Sequence, residues 1–242
     1  MESIAKTAIS YAPIVFGAIV VLVIVAQYLN EKSKSERFFR LAQSLGLSYV
    51  PSLEGGTGGL FETLFNQYSA TTSFVAKYEG FAPMGRPRDR VRHIFSGHKG
   101  EMGVEVFQYQ YTTSSGKNSS THYYSVASAT FGSALPAMSV SPEGFADRFI
   151  KFFGGQDIQF ESNEFNERFV VTGADEQAVH AILHPQMMQW IMDRKPPSLQ
   201  TGLNRVVLHQ SGKLSDGFLT DSLAIMAEFW SLVPPYVKEE GA

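Results

Sequence analysis

The sequence predicts an α+β protein: one N-terminal transmembrane helix, then an antiparallel sheet domain with packed helices and a long C-terminal helix. Three observations predict it. Ile9 to Leu29 is an apolar run without a single charge, about the 20 residues that cross a hydrocarbon core of about 30 Å. The middle of the chain carries segments of alternating polarity, the period of half-buried strands. Near the end, Leu219, Leu223, Met226, Trp230 and Val233 step by three and four, the period of a helix.

The apolar run is bounded by Tyr11 and Tyr28, where interfacial aromatics belong, and Pro13 lies near its start. A cleaved signal peptide is the rival reading. Lys6 alone makes a poor basic n-region, the run exceeds the usual h-region, and Gln27 and Tyr28 spoil a small-residue cleavage site. The span is therefore read as retained, with residues 1–8 as an N-terminal tail and 9–29 in the bilayer. Lys32, Lys34, Arg37 and Arg40 follow it, against Lys6 before it, and a Lys and Arg excess marks the cytoplasmic side. Small residues Gly17 and Ala18 would let the anchor pack against a neighbouring span.

Residues 30–48 read as a juxtamembrane linker helix: Phe38, Leu41, Ala42 and Leu45 are helically spaced and Gly46 suits the C′ position. The helix can simply continue the span. The Gly-rich stretch Ser52 to Leu60, which includes Gly55 to Gly59 (GGTGG), and the short apolar segment Leu60 to Phe65 then form a hinge into the domain of residues 49–242.

Val91 to Ser96 and Val104 to Tyr111 are extended candidates. In the second, Phe107, Tyr109 and Tyr111 fall on one face and Gln108 and Gln110 on the other, so one face is expected buried and the other wet. Thr112 to Thr121 reads as a long polar tip, and Tyr123 to Phe131 as the returning strand of a hairpin. Ser141 and Pro142 look like an N-cap and N1 pair opening a helix with Phe145, Phe149, Phe152 and Phe153 as its stripe, ended by Gly154 and Gly155. A short strand at Arg168 to Thr172, a helix at Asp175 to Leu183, a second helix from Pro185 closed by Pro196 and Pro197, a strand at Leu203 to His209 and a helix at Ser215 to Val233 complete the order. Pro234 and Pro235 end it. A pleckstrin-homology-like arrangement, a bent sheet plugged by its last helix, fits this order, and so do other sheet-plus-helix folds.

The 242 residues carry a net charge of −3 with a pI near 6.1 and contain no cysteine. The charge gives no global attraction for nucleic acid. The missing cysteine excludes disulfides, thiolate nucleophiles and Cys-ligated metal. The 19 Phe and 10 Tyr predict an aromatic-rich core.

The stretch Phe160-Glu161-Ser162, Phe165-Asn166, Phe169-x-Val171, then Ala178, Leu183, Pro185, Met187-Met188 and Ile191 resembles a family of uncharacterised bacterial single-pass membrane proteins. More distantly it resembles a bacterial domain of unknown function encoded beside LemA proteins. Phe107-x-Tyr109-x-Tyr111-Thr112-Thr113 with Ser115-Gly116-Lys117 adds to the likeness. The resemblance covers two thirds of the chain and implies a bacterial inner-membrane setting. Its motifs are apolar and structural, so no catalytic residue follows from it.

Arg86, Arg88, Arg90 and Arg92 would share one face of extended backbone. Such a row suits lipid phosphates or an acidic partner surface; the bland reading is a charged strand edge that resists aggregation. Glu176, His180 and His184 are spaced i, i+4, i+8, yet the pattern is HAILH rather than HExxH. Ordinary surface or capping histidines are the simpler account, and His93 and His98 would point oppositely on a strand. The GGTGG stretch lacks the Lys-Ser/Thr of a phosphate loop, and Ser115-Gly116-Lys117-Asn118 lacks the upstream glycine and a hydroxyl for magnesium. No G-x-S-x-G elbow occurs. No cofactor and no metal is therefore expected.

The leading expectation is a membrane-anchored, non-enzymatic interaction module, an accessory subunit of a larger bacterial membrane complex with protein partners, held in the bilayer through residues 9–29. The alternative is a stand-alone cytoplasmic-face sensor that binds anionic lipid or a small ligand. An enzyme would need a pocket joining His180 or His122 to carboxylates.

Overall fold

The computed structural model describes residues 2–53, 70–86, 89–143 and 157–240, with side chains from residue 15 in the first stretch and up to 239 in the last. Arg88, the GGTGG stretch, the apolar segment Leu60 to Phe65 and the stripe Phe145, Phe149, Phe152 and Phe153 with its closing glycines lie outside the described residues.

Helix α1 runs unbroken from Glu2 to Leu45. The residues before the apolar run are thus its first turns, and Pro13 sits in its interior rather than near its start, leaving one gap in the i to i−4 ladder. The juxtamembrane helix is the same helix continued. Gly46, at φ +64°, ends it: Leu47 N–H donates to Ala42 O at 2.9 Å and Gly46 N–H to Gln43 O at 3.1 Å. This is a Schellman pair, for which a residue without a Cβ suits the left-handed position.

The chain then enters β1 (Ser48–Ser52), an edge strand that the Gly-rich sequence around it does not suggest. Helical turns over 70–76 lead to β2 (Arg90–Lys99), β3 (Met102–Ser115) and β4 (Asn118–Pro142). These strands pair antiparallel in the order β1-β2-β3-β4. The expected long tip at Thr112 to Thr121 is instead paired down to Ser115 opposite Asn118, leaving a two-residue loop of Gly116 and Lys117. Gly116 at φ +59° supplies the first position of a II′-type turn, which suits the twist of the flanking strands.

Strand β4, 25 residues long, is the spine of the sheet. Its first half pairs β3, its last residues pair β5 (Phe169–Gly173), and β6 (Ser198–Ser211) runs along it through two register shifts. Ser141 and Pro142, expected to open a helix, are its last two residues and pair Val170 and Phe169. A proline is tolerated there because a strand end needs no further ladder donor.

Helices with side-chain caps follow. Ser162 caps α2 (Asn163–Arg168), Asp175 caps α3 (Glu176–Ile182), His184 caps α4 (Pro185–Arg194) and Ser215 caps α5 (Asp216–Leu232). Each accepts from a backbone N–H that the first turn leaves orphaned. Pro235 does not close the chain's helical part but starts α6 (Pro235–Glu240), as the N1 preference of proline allows.

Both faces of the sheet are covered. One core joins Phe38 and Ala42 of α1, Val104 and Val106 of β3, Ala127 and Ala129 of β4, and Leu219, Met226 and Phe229 of α5. The other joins Val75, Tyr78 and Phe81 to Phe107, Tyr109, Val126 and Val207. The expectation of a wet face through Gln108 therefore fails. Gln108 is buried because its Oε1 accepts the N–H of Leu214, which enters α5, at 3.3 Å. A polar residue with a backbone partner sits in a core without penalty, and alternation alone does not reveal that partner.

Candidate membrane-proximal site

Along α1 two stretches differ in what surrounds them. Val15, Phe16, Ile19, Leu22, Ile24 and Leu29 are all more than half exposed, on a helix long and apolar enough to cross a membrane. From Glu31 onward the partly or fully buried positions are 31, 34, 35, 38, 41, 42 and 45, a single stripe at helical spacing.

That stripe docks on the start of the sheet. Phe38 is fully buried, with the rings of His93, Phe95 and Tyr49 at 5.1, 5.3 and 6.2 Å in edge-on contacts. Lys34 Nζ lies 3.5 Å from Gln108 Oε1, and Arg37 pairs Asp216 at 3.2 Å. Lys99 Nζ donates to the carbonyl of Leu45, closing the far end of the helix onto β2. Two of the four cations that signal topology are thus also packing groups, and burial lowers the pKa of Lys34.

His93, set aside with His98 in the sequence as a residue of an ordinary strand, is central to this joint. It occupies a bulge where the β2–β3 register shifts between Arg92 and Phe95, and its φ is +52°. A non-glycine residue in that region is uncommon and is held there by its surroundings. Its Nδ1 shares a hydrogen bond of 2.8 Å with Tyr49 OH, and its Nε2 lies 3.7 Å from Glu31. Burial, reinforced by Lys34 and Arg92 against the opposing Glu31, pushes its pKa down to about 4. The ring is neutral at pH 7, so the Glu31 contact is not an ion pair there. No sequence signal marks a left-handed histidine inside an apolar strand.

The arginine row does not form as one face. Arg90 and Arg92 share a side of β2, with Arg92 turned 3.9 Å from Glu31 of α1. Arg86 lies before the strand, past a turn at Gly85 with φ +76°, and Arg88 lies outside the described residues. Arg86 instead lines a cavity of about 660 Å³ with Asp89, Glu79, Thr72 and Met84, a volume within the range of small-ligand sites. Its wall is braced by Tyr109, whose OH accepts from Arg86 N–H at 3.2 Å and donates to Asp89 Oδ2 at 3.4 Å. Burial raises both the Asp89 and the Tyr109 pKa. Gly17 and Ala18 are exposed on α1, and a Cβ at Gly17 would meet nothing within 4 Å among the described residues.

A second cavity of about 400 Å³ opens between Lys77, Glu105 and Arg205. Lys77 Nζ pairs Glu105 at 2.9 Å, Tyr78 OH donates to the same carboxylate at 2.6 Å, and Arg205 donates to Ser128 at 3.0 Å. The Lys77 and Tyr78 contacts pin the 70–86 segment onto the sheet. Further along the same face, Ser139, Ser141, Thr172 and Gln200 are buried, and their hydroxyls and the Gln200 amide nitrogen have no partner among the described residues. Thr172, Ser139 and Gln200 lie side by side across three strands.

The histidine candidates separate. His184 caps α4 through Met187 N–H at 3.4 Å and meets Leu232 O at 3.1 Å. His180 is exposed, 3.7 Å from Glu176, and packs on Phe160. His122 meets Thr113 Oγ1 at 3.0 Å and stacks on Tyr111 at 4.8 Å. Among the described residues no group of three metal-ligating side chains gathers.

No sequence profile of a known family matches the chain, and no curated protein matches it in sequence. In structure it is similar to the mycobacterial trehalose monomycolate transport factor A, TtfA, at a TM-score of 0.52 and 10% identity over 83% of this chain and 96% of that one. At that identity the likeness establishes a shared fold alone; this chain is itself α+β, with an N-terminal apolar helix, an antiparallel sheet and packed helices.

Proposed function

We propose that this chain is a membrane-anchored, non-enzymatic interaction module, an accessory subunit of a larger membrane complex, with its domain on the cytoplasmic side of a bacterial inner membrane. One observation carries the reading. The helix with the exposed apolar stretch is the same rigid helix that docks on the sheet through Phe38, Lys34 and Arg37. Such a joint fixes the domain's height and orientation against the bilayer, which serves a subunit that must present surfaces to neighbours. A freely tethered enzyme has no need of it. TtfA, which shares the fold, is by name a transport factor, and that agrees with an accessory role. The basic residues after the span agree with a cytoplasmic domain.

Mild-detergent extraction from native membranes, followed by sizing and identification of what co-purifies, tests it. A stoichiometric larger assembly is the expected result. A lone monomer or homo-oligomer would reject the subunit reading.

The cavity at Arg86 and Asp89 favours a second reading, a stand-alone sensor of anionic lipid or a small ligand. Salt-sensitive binding of the protein to anionic vesicles, lost on changing Arg86, Arg90 and Arg92 to alanine, would support it. Binding that survives those changes would remove it.

A further inference from the structure

We infer that the β3–β4 hairpin is an outrigger whose tip, Ser114 to Ser119, rests in the headgroup layer of the bilayer that α1 crosses. The inference rests on the anchor reading above and adds a second contact to it.

Direction comes first. Leu45 meets Lys99, Phe38 meets Phe95, and Glu31 meets Arg92. Moving along α1 toward the apolar stretch is therefore moving along β2 toward Arg90. Strand β3 continues that way, since Arg92 pairs Gln108 and Arg90 pairs Gln110. Strand β2 begins at Arg90 and β6 ends at Ser211, opposite Tyr124. Beyond that level, among the described strands, only β3 and β4 go on, paired from Tyr111 with His122 to Ser115 with Asn118, and every residue from 113 to 121 is exposed.

Length comes next. Lys34, which touches Gln108, is five residues from Leu29, or about 7.5 Å of helix. Gln108 is seven residues from Ser115, or about 23 Å of strand. At roughly 45° to α1 the hairpin advances about 16 Å, past the level of Leu29, so the polar tip lies in the headgroup layer when α1 tilts from the bilayer normal, about 20° being ordinary for a membrane helix.

Composition says where it stops. From Thr112 to Thr121 the arm is Thr, Ser, Gly, Lys and Asn, without one apolar side chain. Its outer backbone edges are unpaired beyond the neighbouring strands, and such groups are not left unsatisfied in hydrocarbon. The headgroup layer satisfies them. Lys117 at the tip, with exposed Lys32, Arg90 and Lys213 at the same end, suits lipid phosphates. The nearby carboxylates Glu31 and Asp216 are engaged by Arg92 and Arg37. The arm is stiff enough to bear on a surface: Tyr111 stacks on His122, Thr113 bonds His122, and Thr112 bonds Thr121 at 3.3 Å.

The chain has no cysteine, so Lys117→Cys, Leu22→Cys and Glu101→Cys each take a single nitroxide. The full-length proteins are reconstituted in vesicles of phosphatidylethanolamine and phosphatidylglycerol containing a nickel-chelating lipid. Relaxation by headgroup nickel, by oxygen and by a water-soluble chromium complex is then read for each label. The expected result is nickel relaxation severalfold stronger at Lys117→Cys than at Glu101→Cys, which lies in the turn at the other end of β2, with Leu22→Cys reporting hydrocarbon. Equal responses at positions 117 and 101, with Leu22→Cys still in hydrocarbon, would overturn the outrigger and leave the anchor standing. A Leu22→Cys label open to chromium would overturn both. Shielding of position 117 from nickel and chromium alike would assign the tip to a protein contact and reject the lipid one.

Discussion

The two halves of α1 are one helix in two environments. From Val15 to Leu29 the side chains are apolar nearly all round and none of the described residues covers them; from Glu31 to Leu45 one stripe is buried against the sheet and the rest is polar apart from exposed Phe39. The backbone does not mark the change, since the helix is continuous from Glu2 to Leu45. A domain boundary here is a change of solvent rather than of secondary structure. Hydrocarbon rewards an apolar surface on every side, whereas a folded domain in water rewards one face.

Damaging each half of the helix separately should produce the largest effects. Leu22→Arg with Val25→Arg should cost about 2.5–3.5 kcal/mol per residue in membrane insertion. Membrane fractionation should show the protein leaving the bilayer, while the unfolding midpoint of the domain, measured in the same full-length variant, stays put. Phe38→Ala should do the reverse. Removing a fully buried ring from the α1 joint should lower domain stability by about 3–5 kcal/mol, read by denaturant unfolding, with membrane fractionation unchanged. A result in which both variants moved both readouts would mean the halves are not independent.

A smaller effect sharpens the lower half. His93 is held neutral with its pKa at about 4, and burial holds His209 at about 3, both below the ordinary 6.5. The unfolded chain then binds more protons below pH 6.5 than the folded one. Stability should be level above that pH and fall as pH drops toward 4, by up to about 1.4 kcal/mol per unit for each histidine. Unfolding midpoints across pH 4 to 8 check it. In His93→Gln the slope should shrink, leaving the share that belongs to His209. The smallest change expected is Arg37→Ala. Its pair with Asp216 is half exposed, so the loss should stay below about 1 kcal/mol. A larger loss in the same unfolding assay would mean that the charge, not the Phe38 ring, holds the joint.

Much of the fold is legible in the sequence. The apolar run, the strand at Val104 to Tyr111 and the stripe from Leu219 to Val233 show in the periodicity because each contrasts strongly with its surroundings. The caps at Asp175, His184 and Ser215 follow from local chemistry. The misreadings share a cause. Ser141-Pro142 is a good helix opening in isolation, but its pairing with β5 is non-local. Gln108 looks solvated until the N–H of Leu214 arrives from a distant part of the chain. The arginine row requires extended backbone through Arg86, and Gly85 turns the chain before the strand starts. His93 has no local signal, because its left-handed backbone is imposed by a bulge and by α1 above it.

Charge and hydrophobic period are local quantities, so the order of the residues alone shows that one helix can cross a membrane, that cations follow it, and that an α+β domain comes after. Three features emerge only in the folded chain: this helix is welded to the sheet, both faces of the sheet are covered, and the β3–β4 arm points back toward the apolar stretch. Those depend on which strand lies beside which helix and in what register, and register is set by contacts between residues far apart in the chain.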